Sequence, residues 1–312
     1  MSFRSIAQRW SLTLESLCLL SDSMTTVRDA LLVAAGLGTR MFPASAFVPK
    51  ESLPLVDVPL LTHLIMEAKQ AGVERIHIIT SPMKSFDGLL EDQRHLHPHR
   101  AHLDAALFHA TADVEVLIHV QEEPKGVGNA MEAALHAVDG PFLVMLGDNL
   151  LMDHHASTDA YAPSNASKRL VEAYDRCHQA TVGLIEVDEA EVHHYGIVEM
   201  EGDRITSMVE KPTPDRAPSR LAMCGRYVYP ADMKDHLNAC TFEAFGDLQS
   251  IEVLNRYIEG QRLRGFVLNE TQWYDSGAPL MWLKAQVDHA LRRPDLNEAF
   301  RVWLEHRLGP ER

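Results

Sequence analysis

Residues 27–50 read VRDALLVAAGLGTRMFPASAFVPK, and this stretch decides the fold class. Val27 to Ala35 is a short apolar run stopped by Gly36, which is typical of a buried parallel strand rather than of a helix. The loop that follows carries two basic residues, Arg40 and Lys50, and a Gly-x-Gly step that lets the backbone approach a phosphate chain. It matches neither the Walker nor the dinucleotide pattern, so an ordinary strand-to-helix turn is the alternative.

The segments after this loop repeat an order of strand, helix and strand. Pro59 to Ala71 has helical spacing, with proline at its start and Gly72 behind it, and Arg75 to Thr80 is apolar enough for the next strand. Such a unit is a right-handed βαβ crossover. It recurs as a strand, a helix and a strand at Val114–Val120, about Gly128–Val138, and Pro141–Leu146. The first half is therefore predicted to be a doubly wound α/β layer.

After Asp148 the pattern changes to short β segments with helices between them. Strands are predicted around Thr181–Val187, Gly196–Met200, Ile205–Val209 and Met223–Tyr229. Helices are predicted near Ala166–His178, Ala231–Ala239, Leu248–Glu259, Ala278–Leu291 and Leu296–Leu308. Alternating strands of this kind continue a parallel layer as a mixed sheet. The predicted fold is a Rossmann-like, doubly wound mixed α/β sheet with C-terminal helices.

Composition restricts the partners of this chain. Of 312 residues 46% are hydrophobic, which is enough for a core, and 29 Lys plus Arg against 44 Asp plus Glu leave a net charge of −15. Such a surface repels nucleic acid and anionic membranes, so neither partner is expected. The four cysteines lie far apart at Cys18, Cys177, Cys224 and Cys240, without a metal pair or disulfide framework. A cytoplasmic protein is expected.

Three loops follow the carboxyl ends of predicted strands, which is the edge where open α/β sheets hold ligands. They span Gly36–Lys50, Gln121–Gly128 and Gly147–Asp153. Gly147, Asp148 and Asn149 follow the apolar strand FLVML. A carboxylate in that position suits Mg²⁺, which takes one or two carboxylates and completes its shell with phosphate oxygens and water. An aspartate there is also common as a helix cap or turn former.

Six segments carry a resemblance to a known family. They are GLGTRMFP with PKESLPLVDVPLL, QEEPKGVGNA, YGIVE, VEKPTPDRAPSRLAMCGRYV and YDSGAP, between roughly Ala30 and Leu304. In their order and spacing the sequence resembles bacterial UTP:glucose-1-phosphate uridylyltransferases, the UDP-glucose pyrophosphorylases. The related thymidylyltransferases share the general plan, but GLGTR and the EKP, APS and GRYV block favour the uridylyl group.

The sequence also suggests a division of the chain. Residues 1–26 are interpreted as an N-terminal extension, either disordered or an artefact of the start site, with Met24 as an alternative start. Residues 27–312 would form a single nucleotidyltransferase domain. Within it, 27–150 would bind the nucleotide, 151–275 would bind the sugar, and 276–312 would form the C-terminal helices.

For the nucleotide, the resemblance implies that Gln121 and Gly126 read the pyrimidine edge. A glutamine amide offers a donor and an acceptor and so complements the uracil imide. Without the resemblance, Gln121 would be a polar residue at a strand end and Gly126 a glycine at a helix start. Further nucleotide contacts are expected from Asp148 and from the backbone of Ala34, Ala35, Gly36 and Gly38.

At the phosphates, Arg40 is expected to hold the leaving β and γ groups, while Lys50 and Lys211 hold the reacting groups. Asp148 is the predicted Mg²⁺ ligand, and the resemblance adds Asp275 in WYDSG as the second carboxylate. Mg²⁺ is thus the expected cofactor, and Arg40, Lys50 and Lys211 are the expected catalytic residues.

For the sugar, the resemblance implies that Glu210 binds glucose hydroxyls, Lys211 binds the sugar phosphate, and Gly196 permits close backbone approach. Alternating strand directions would send the side chains of Glu210 and Lys211 to opposite faces, unless the turn at Pro212 brings both to the cleft. A solvated ion pair is the alternative interpretation.

The expected reaction converts UTP and glucose 1-phosphate to UDP-glucose and pyrophosphate. The alternatives are a glucose-1-phosphate thymidylyltransferase and a catalytically silent relative that binds a nucleotide sugar. The resemblance implies a homo-oligomer, dimer or tetramer, and the C-terminal helices carry apolar residues beyond those the core obviously requires. These residues, which intramolecular packing would equally explain, are Trp282, Leu283, Phe300, Trp303 and Leu304.

Overall fold

The computed structural model describes residues 25–309. The expected N-terminal extension, residues 1–26, therefore lies almost entirely outside the described residues. At its end, the hydroxyl of Thr26 donates a hydrogen bond to Asp175 Oδ1 over 2.6 Å. The chain is thus attached to the second half of the molecule just before its first strand begins.

A mixed sheet of nine strands runs through the middle of the protein, in the order β5-β4-β1-β6-β11-β8-β12-β10-β9. Strands β1, β4, β5 and β6 are parallel, and β11 joins β6 and β8 in antiparallel pairing. The strands are β1 (Asp29–Val33), β2 (Pro54–Leu55), β3 (Val58–Pro59), β4 (Arg75–Thr80), β5 (Glu115–Val120), β6 (Phe142–Leu146), β7 (Asn149–Met152), β8 (Ala180–Glu186), β9 (Gly196–Glu201), β10 (Arg204–Glu210), β11 (Leu221–Tyr229), β12 (Leu263–Val267) and β13 (Gln272–Asp275).

Helices cover both faces of this sheet. Their bounds are α1 (Leu60–Gln70), α2 (Asp87–Leu90), α3 (Gly126–Leu135), α4 (Ala166–Cys177), α5 (Met233–Ala239), α6 (Phe242–Phe245), α7 (Gln249–Glu259), α8 (Pro279–Arg292) and α9 (Asn297–Arg307). One core contains α1 and α4, and the other contains α3 and α7. Among residues 25–309, no helix has both the length and the apolar content that a membrane crossing needs.

The predicted Rossmann-like mixed sheet with C-terminal helices is confirmed. Most elements agree with their predicted ranges within about two or three residues, and β4 agrees at both ends. The helix predicted from Gly128 begins two residues earlier, at Gly126. Gly126 itself has a φ of 86°, in the left-handed region. Strand β1 is shorter than predicted and ends at Val33, so that Ala34 and Ala35 belong to the loop.

Several strands escaped the sequence analysis because they are short or contain polar residues. Strand β12, LRGFV, lies between β8 and β10 although it contains an arginine and a glycine. Strands β7 and β13 form a separate two-stranded ribbon in which Asp275 pairs with Asn149. This ribbon matters for the site, because it brings the segment after β6 beside the segment before α8.

Candidate active site

A cavity of about 450 Å³ opens where β6, β9, β10 and β11 meet the loop after β1. Its lining includes two groups of charged residues that the sequence predicted, one from the phosphate-binding set and one from the sugar-binding set. Apolar side chains of Met131, Tyr227 and Leu254 line it as well. The charged residues along it are Arg40, Asp148, Asp275, Glu210 and Lys211, which were predicted, and Asp247, which was not.

The loop after β1 folds back on itself around Gly38. Gly38 adopts φ 67°, a left-handed conformation that glycine adopts without strain, and its carbonyl oxygen accepts hydrogen bonds from Met41 N–H and the Ser45 hydroxyl, at 2.8 and 2.7 Å. A Cβ on Gly38 would lie 3.2 Å from Cδ of Lys50. The loop therefore packs against the stem of Lys50 while Arg40 remains exposed at the cavity.

Asp148 and Asp275 converge on Gly277. A Cβ on Gly277 would lie 2.5 Å from Arg40 Nη2, 3.0 Å from Asp275 Oδ1 and 3.1 Å from Asp148 Oδ2, so only glycine fits there without movement of these groups. The N–H and hydroxyl of Ser276 both donate to the carbonyl oxygen of Asp148 over 2.8 Å. Two predicted metal ligands and a predicted phosphate ligand are thus brought together.

The charges around these carboxylates are unequally balanced. Lys50 Nζ lies 2.5 Å from Asp148 Oδ2. Burial acts to raise the pKa of Asp148, but the charges of Lys50 and Arg40 outweigh it and hold this pKa below its usual value. For Asp275, burial raises the pKa, the nearby charge of Asp148 adds to the rise, and the hydrogen bond from Gly277 N–H opposes it. The charges of Arg40 and Lys50 also oppose the rise, but they do not outweigh burial at Asp275 as they do at Asp148.

The sugar-binding set lies where β9 and β10 pair. Glu210, the last residue of β10, is opposite Gly196, the first residue of β9. A Cβ on Gly196 would lie 2.4 Å from Met223 Cε and 2.9 Å from Glu210 Oε2, so the carboxylate sits directly over the glycine. Lys211 leaves the extended conformation with φ 46°, and its N–H donates to the carbonyl oxygen of Tyr195. Both charged side chains consequently face the cavity, where their charged atoms lie 3.4 Å apart.

Two further polar residues connect the two groups, and the sequence analysis missed their role. Asn149 donates through Nδ2 to Asp148 Oδ1 and accepts from Trp273 Nε1, at 2.9 and 2.7 Å. Trp273 packs on Tyr195, with ring centroids 4.4 Å apart. The signal available in the sequence was the position of Asn149 directly after Asp148, but its partner lies on β13, a strand that was not predicted.

The predicted base-reading residues, Gln121 and Gly126, are not among those that line this cavity, although Gly126 adjoins Val127, which does. Gln121 is buried after β5, and its Nε2 donates to the carbonyl oxygen of Gly126 and to Asn129 Oδ1, at 3.0 and 2.9 Å. It lines a second, shallower cavity together with Lys125 and Asn129. With both amide hydrogens engaged, the side-chain oxygen remains for a base, so full pairing with uracil requires the amide to turn.

The remaining predicted nucleotide contacts can act through the backbone. Ala34 and Ala35 are buried, while Gly36 is exposed and a Cβ added to it would meet nothing within 4 Å. The carbonyl oxygen of Ala34 accepts a hydrogen bond from the ammonium of Lys84 over 2.7 Å. Lys84 was not predicted as part of the site, although it too follows the carboxyl end of a parallel strand, β4.

Comparison with known proteins identifies the family. The nucleotidyl transferase family model matches residues 29–290. A UTP--glucose-1-phosphate uridylyltransferase of Streptococcus pyogenes is 32% identical over 295 residues, which cover 90% of this chain and 94% of that protein.

Solved structures give the same answer. A UTP-bound UGPase from Acinetobacter baumannii is 27% identical with a TM-score of 0.75, covering 89% of this chain and 98% of its own. A UDP-glucose pyrophosphorylase complexed with UDP-glucose is 27% identical with a TM-score of 0.71, covering 84% of this chain and 98% of its own. The chain belongs to the nucleotidyl transferase family and, within it, to the UTP:glucose-1-phosphate uridylyltransferases.

Proposed function

We propose that this protein transfers a uridylyl group from UTP to α-D-glucose 1-phosphate, giving UDP-glucose and pyrophosphate. The observation that carries the proposal is the convergence of Arg40, Asp148 and Asp275 around Gly277, in a cavity that also contains Glu210 and Lys211. Arg40 beside two carboxylates can bind a nucleoside triphosphate together with its cation. The Glu210 carboxylate over Gly196 can accept hydrogen bonds from sugar hydroxyls.

In the proposed reaction a phosphate oxygen of glucose 1-phosphate attacks the α-phosphorus of UTP in line. A new P–O bond forms while the bond to pyrophosphate breaks, and the leaving group keeps the electron pair. No protein base is needed, because the attacking phosphate is already ionised. Lys50 and Lys211 would hold the reacting phosphates and Arg40 the leaving group, so the protein contributes positioning and charge neutralisation.

The carboxylates of Asp148 and Asp275 fit Mg²⁺. They lie next to each other, and burial together with the neighbouring charge of Asp148 raises the pKa of Asp275. Two carboxylates with the remaining positions left to phosphate oxygens and water is the coordination that Mg²⁺ favours. Once bound, the ion would neutralise charge on the phosphate groups. The ion pair between Lys50 and Asp148 would then loosen, leaving the ammonium of Lys50 free for a phosphate.

A coupled assay of pyrophosphate release tests the reaction. Purified protein with UTP, glucose 1-phosphate and Mg²⁺ should release pyrophosphate in proportion to UDP-glucose formed. Omitting any one component should abolish the signal. Absence of turnover with every nucleoside triphosphate and sugar phosphate pair would disprove the proposed function, and tight binding of UDP-glucose by calorimetry without turnover would favour the catalytically silent relative.

The choice of base rests on Gln121, because a thymidylyltransferase differs in tolerating the C5 methyl group of thymine. We propose that Gln121 and Gly126 read uracil, with the Gln121 amide turning from Asn129 toward the base. Turnover measured with UTP and with dTTP under the same conditions tests this. If kcat/KM were higher for dTTP than for UTP, the protein would be a glucose-1-phosphate thymidylyltransferase instead.

We further propose a cytoplasmic homo-oligomer. No residue of α9 is buried, and the C-terminal helices expose large apolar side chains. Phe300 and Trp303 stack on each other at 5.8 Å between ring centroids, and Trp303 is 56% exposed. A second copy would cover this surface. Light scattering at micromolar protein tests the idea, and a mass of 35.0 kDa, that of one chain, would overturn it.

A further inference from the structure

A row of buried charges lies behind Lys50. Lys84 donates from its ammonium to the carbonyl oxygen of Ala34 and to Glu51 Oε2, at 2.7 and 2.8 Å. Its side chain is 5% exposed and that of Glu51 is 1% exposed. Burial of two such charges is costly unless they are paired, and removing one partner leaves the other uncompensated. The proposed mechanism uses neither residue directly.

The second carboxylate oxygen of Glu51 faces Lys50. Glu51 Oε1 has no hydrogen-bond partner within residues 25–309, and it lies 3.9 Å from Lys50 Nζ. Lys50 Nζ is at the same time 2.5 Å from Asp148 Oδ2. The Lys50 ammonium therefore lies between Asp148, with which it forms a hydrogen bond, and the buried Oε1 of Glu51, which is beyond hydrogen-bond distance. Burial raises the pKa of Glu51, while the charges of Lys84 and Lys50 oppose the rise.

Glu51 is held in place by the segment that carries Asp148. A Cβ on Gly147 would lie 2.8 Å from the carbonyl oxygen of Val33 and 3.1 Å from Glu51 Cγ. Gly147 N–H also donates to that carbonyl oxygen over 2.9 Å. The stem of Glu51 is thus packed under the segment that leads to Asp148.

We propose that Glu51 and Lys84 are positioning residues for Lys50. Glu51 provides a second, fixed anion that keeps the Lys50 ammonium beside the reacting phosphates once Asp148 binds the cation. Lys84 balances Glu51, so that Lys50 remains free to bind phosphate, and ties this arrangement to the backbone at Ala34. The inference rests on the proposed function, because both residues act through Lys50. A lysine stem is flexible, and fixing its ammonium places the charge before the reaction begins.

A double-mutant cycle tests this proposal. Glu51→Gln keeps the size of the side chain and removes its charge, and it is compared in the wild-type and Lys50→Ala backgrounds. In wild type we expect kcat to fall by about tenfold to a hundredfold, as for a misplaced catalytic group, with KM for both substrates within about threefold. In the Lys50→Ala background we expect Glu51→Gln to change kcat by less than about twofold, because the residue through which it acts is gone.

Lys84→Met is measured in the same cycle, so that the proposal can still be tested if the Glu51 variant does not fold. Its loss of kcat should also disappear in the Lys50→Ala background. The folded fraction is measured as the stoichiometry of UTP binding by calorimetry. Glu74→Gln is the matched control, because its ion pair with Arg28 is exposed, and it should leave kcat unchanged.

Two outcomes would contradict the proposal, and they are distinguishable. An equal loss of kcat in both backgrounds, for each of the two variants, would make Glu51 and Lys84 purely structural and overturn this inference alone. Near wild-type turnover of Lys50→Ala itself would overturn the proposed role of Lys50, and the inference with it.

Discussion

The two charged ends of the cavity differ in how firmly the protein holds them. At the phosphate end, the side chains of Lys50 and Asp148 are 11% and 20% exposed, and a buried row of charges continues behind them. At the sugar end, Lys211 and Glu210 are 63% and 35% exposed, and they form a looser pair at 3.4 Å. Groups meant to stabilise the transition state benefit from being fixed in advance. Groups that recognise a substrate can be ordered by it, so Lys50 at the phosphate end should act on kcat and Glu210 at the sugar end on the KM for glucose 1-phosphate.

The largest effect is expected from Lys50→Ala. If the ammonium meets charge that grows during the reaction, kcat should fall by about 10²-fold or more, as when one such stabilising group is removed from an active site. Steady-state kinetics by pyrophosphate release measures this. Lys284→Ala is the control, since its side chain is 59% exposed on α8 and should not alter kcat. Turnover near that of wild type in Lys50→Ala would mean that the site is wrongly assigned.

The next effect is on the metal requirement. Asp148→Ala should raise the Mg²⁺ concentration needed for half-maximal activity by about tenfold to a hundredfold, the range typical of a weakened metal site. Asp275→Asn should act in the same direction. Titration of activity with Mg²⁺ gives the value for each variant. An unchanged Mg²⁺ requirement in both variants would remove these residues from the proposed metal site.

At the sugar end, Glu210→Ala should act mainly on binding. We expect KM for glucose 1-phosphate to rise by about tenfold with kcat within about twofold, because a contact made equally in the ground and transition states affects KM alone. Glu199→Ala serves as a control, because Glu199 is exposed on the neighbouring strand β9. A fall in kcat as large as that in kcat/KM would mean that the two ends do not divide their tasks.

The smallest effect is expected on the free energy of unfolding when the exposed pair of Lys211 and Glu210 is removed. Lys211→Gln should change the free energy of unfolding by less than about 0.5 kcal/mol, since exposed ion pairs contribute little. Urea denaturation followed by circular dichroism measures it. A loss above about 2 kcal/mol would show that the sugar end is as tightly built into the fold as the buried pairs are.

Sequence patterns were sufficient for the parallel half of the fold and for part of the site. Strand β1, helix α1 and strand β4 follow from apolar runs and helix-end residues, because these signals are local. Motif order also led to Arg40, Asp148, Asp275 and Glu210, which all line one cavity. The roles proposed for these residues remain predictions until the variants are measured.

The parts that could not be predicted depend on long-range pairing. Strand β12 has no apolar alternation, and it is a strand because β8 and β10 lie on either side of it. Asn149 accepts a hydrogen bond from Trp273 because β7 and β13 pair as a ribbon. Neither short segment has a sequence pattern that predicts this pairing. Lys84 and Glu51 are separated along the chain, and ordinary surface positions would be expected for both from their charge. Their burial arises from tertiary packing alone.

The place of β12 in the sheet also affects how the chain is assembled during synthesis. Strand β8 pairs with β11 on one side and with β12 on the other. Strand β12 is made late, because it ends only at Val267. Until then the hairpin of β9 and β10 is joined to the sheet through the short contact of β9 with Leu221 and Ala222. A growing chain that has not reached β12 thus exposes unpaired edges of β8 and β10, which are sites for aggregation. The part of the sheet that carries the sugar end therefore gains its last strand only when β12 has been made, and slow synthesis before β12 should make the nascent protein most dependent on chaperones.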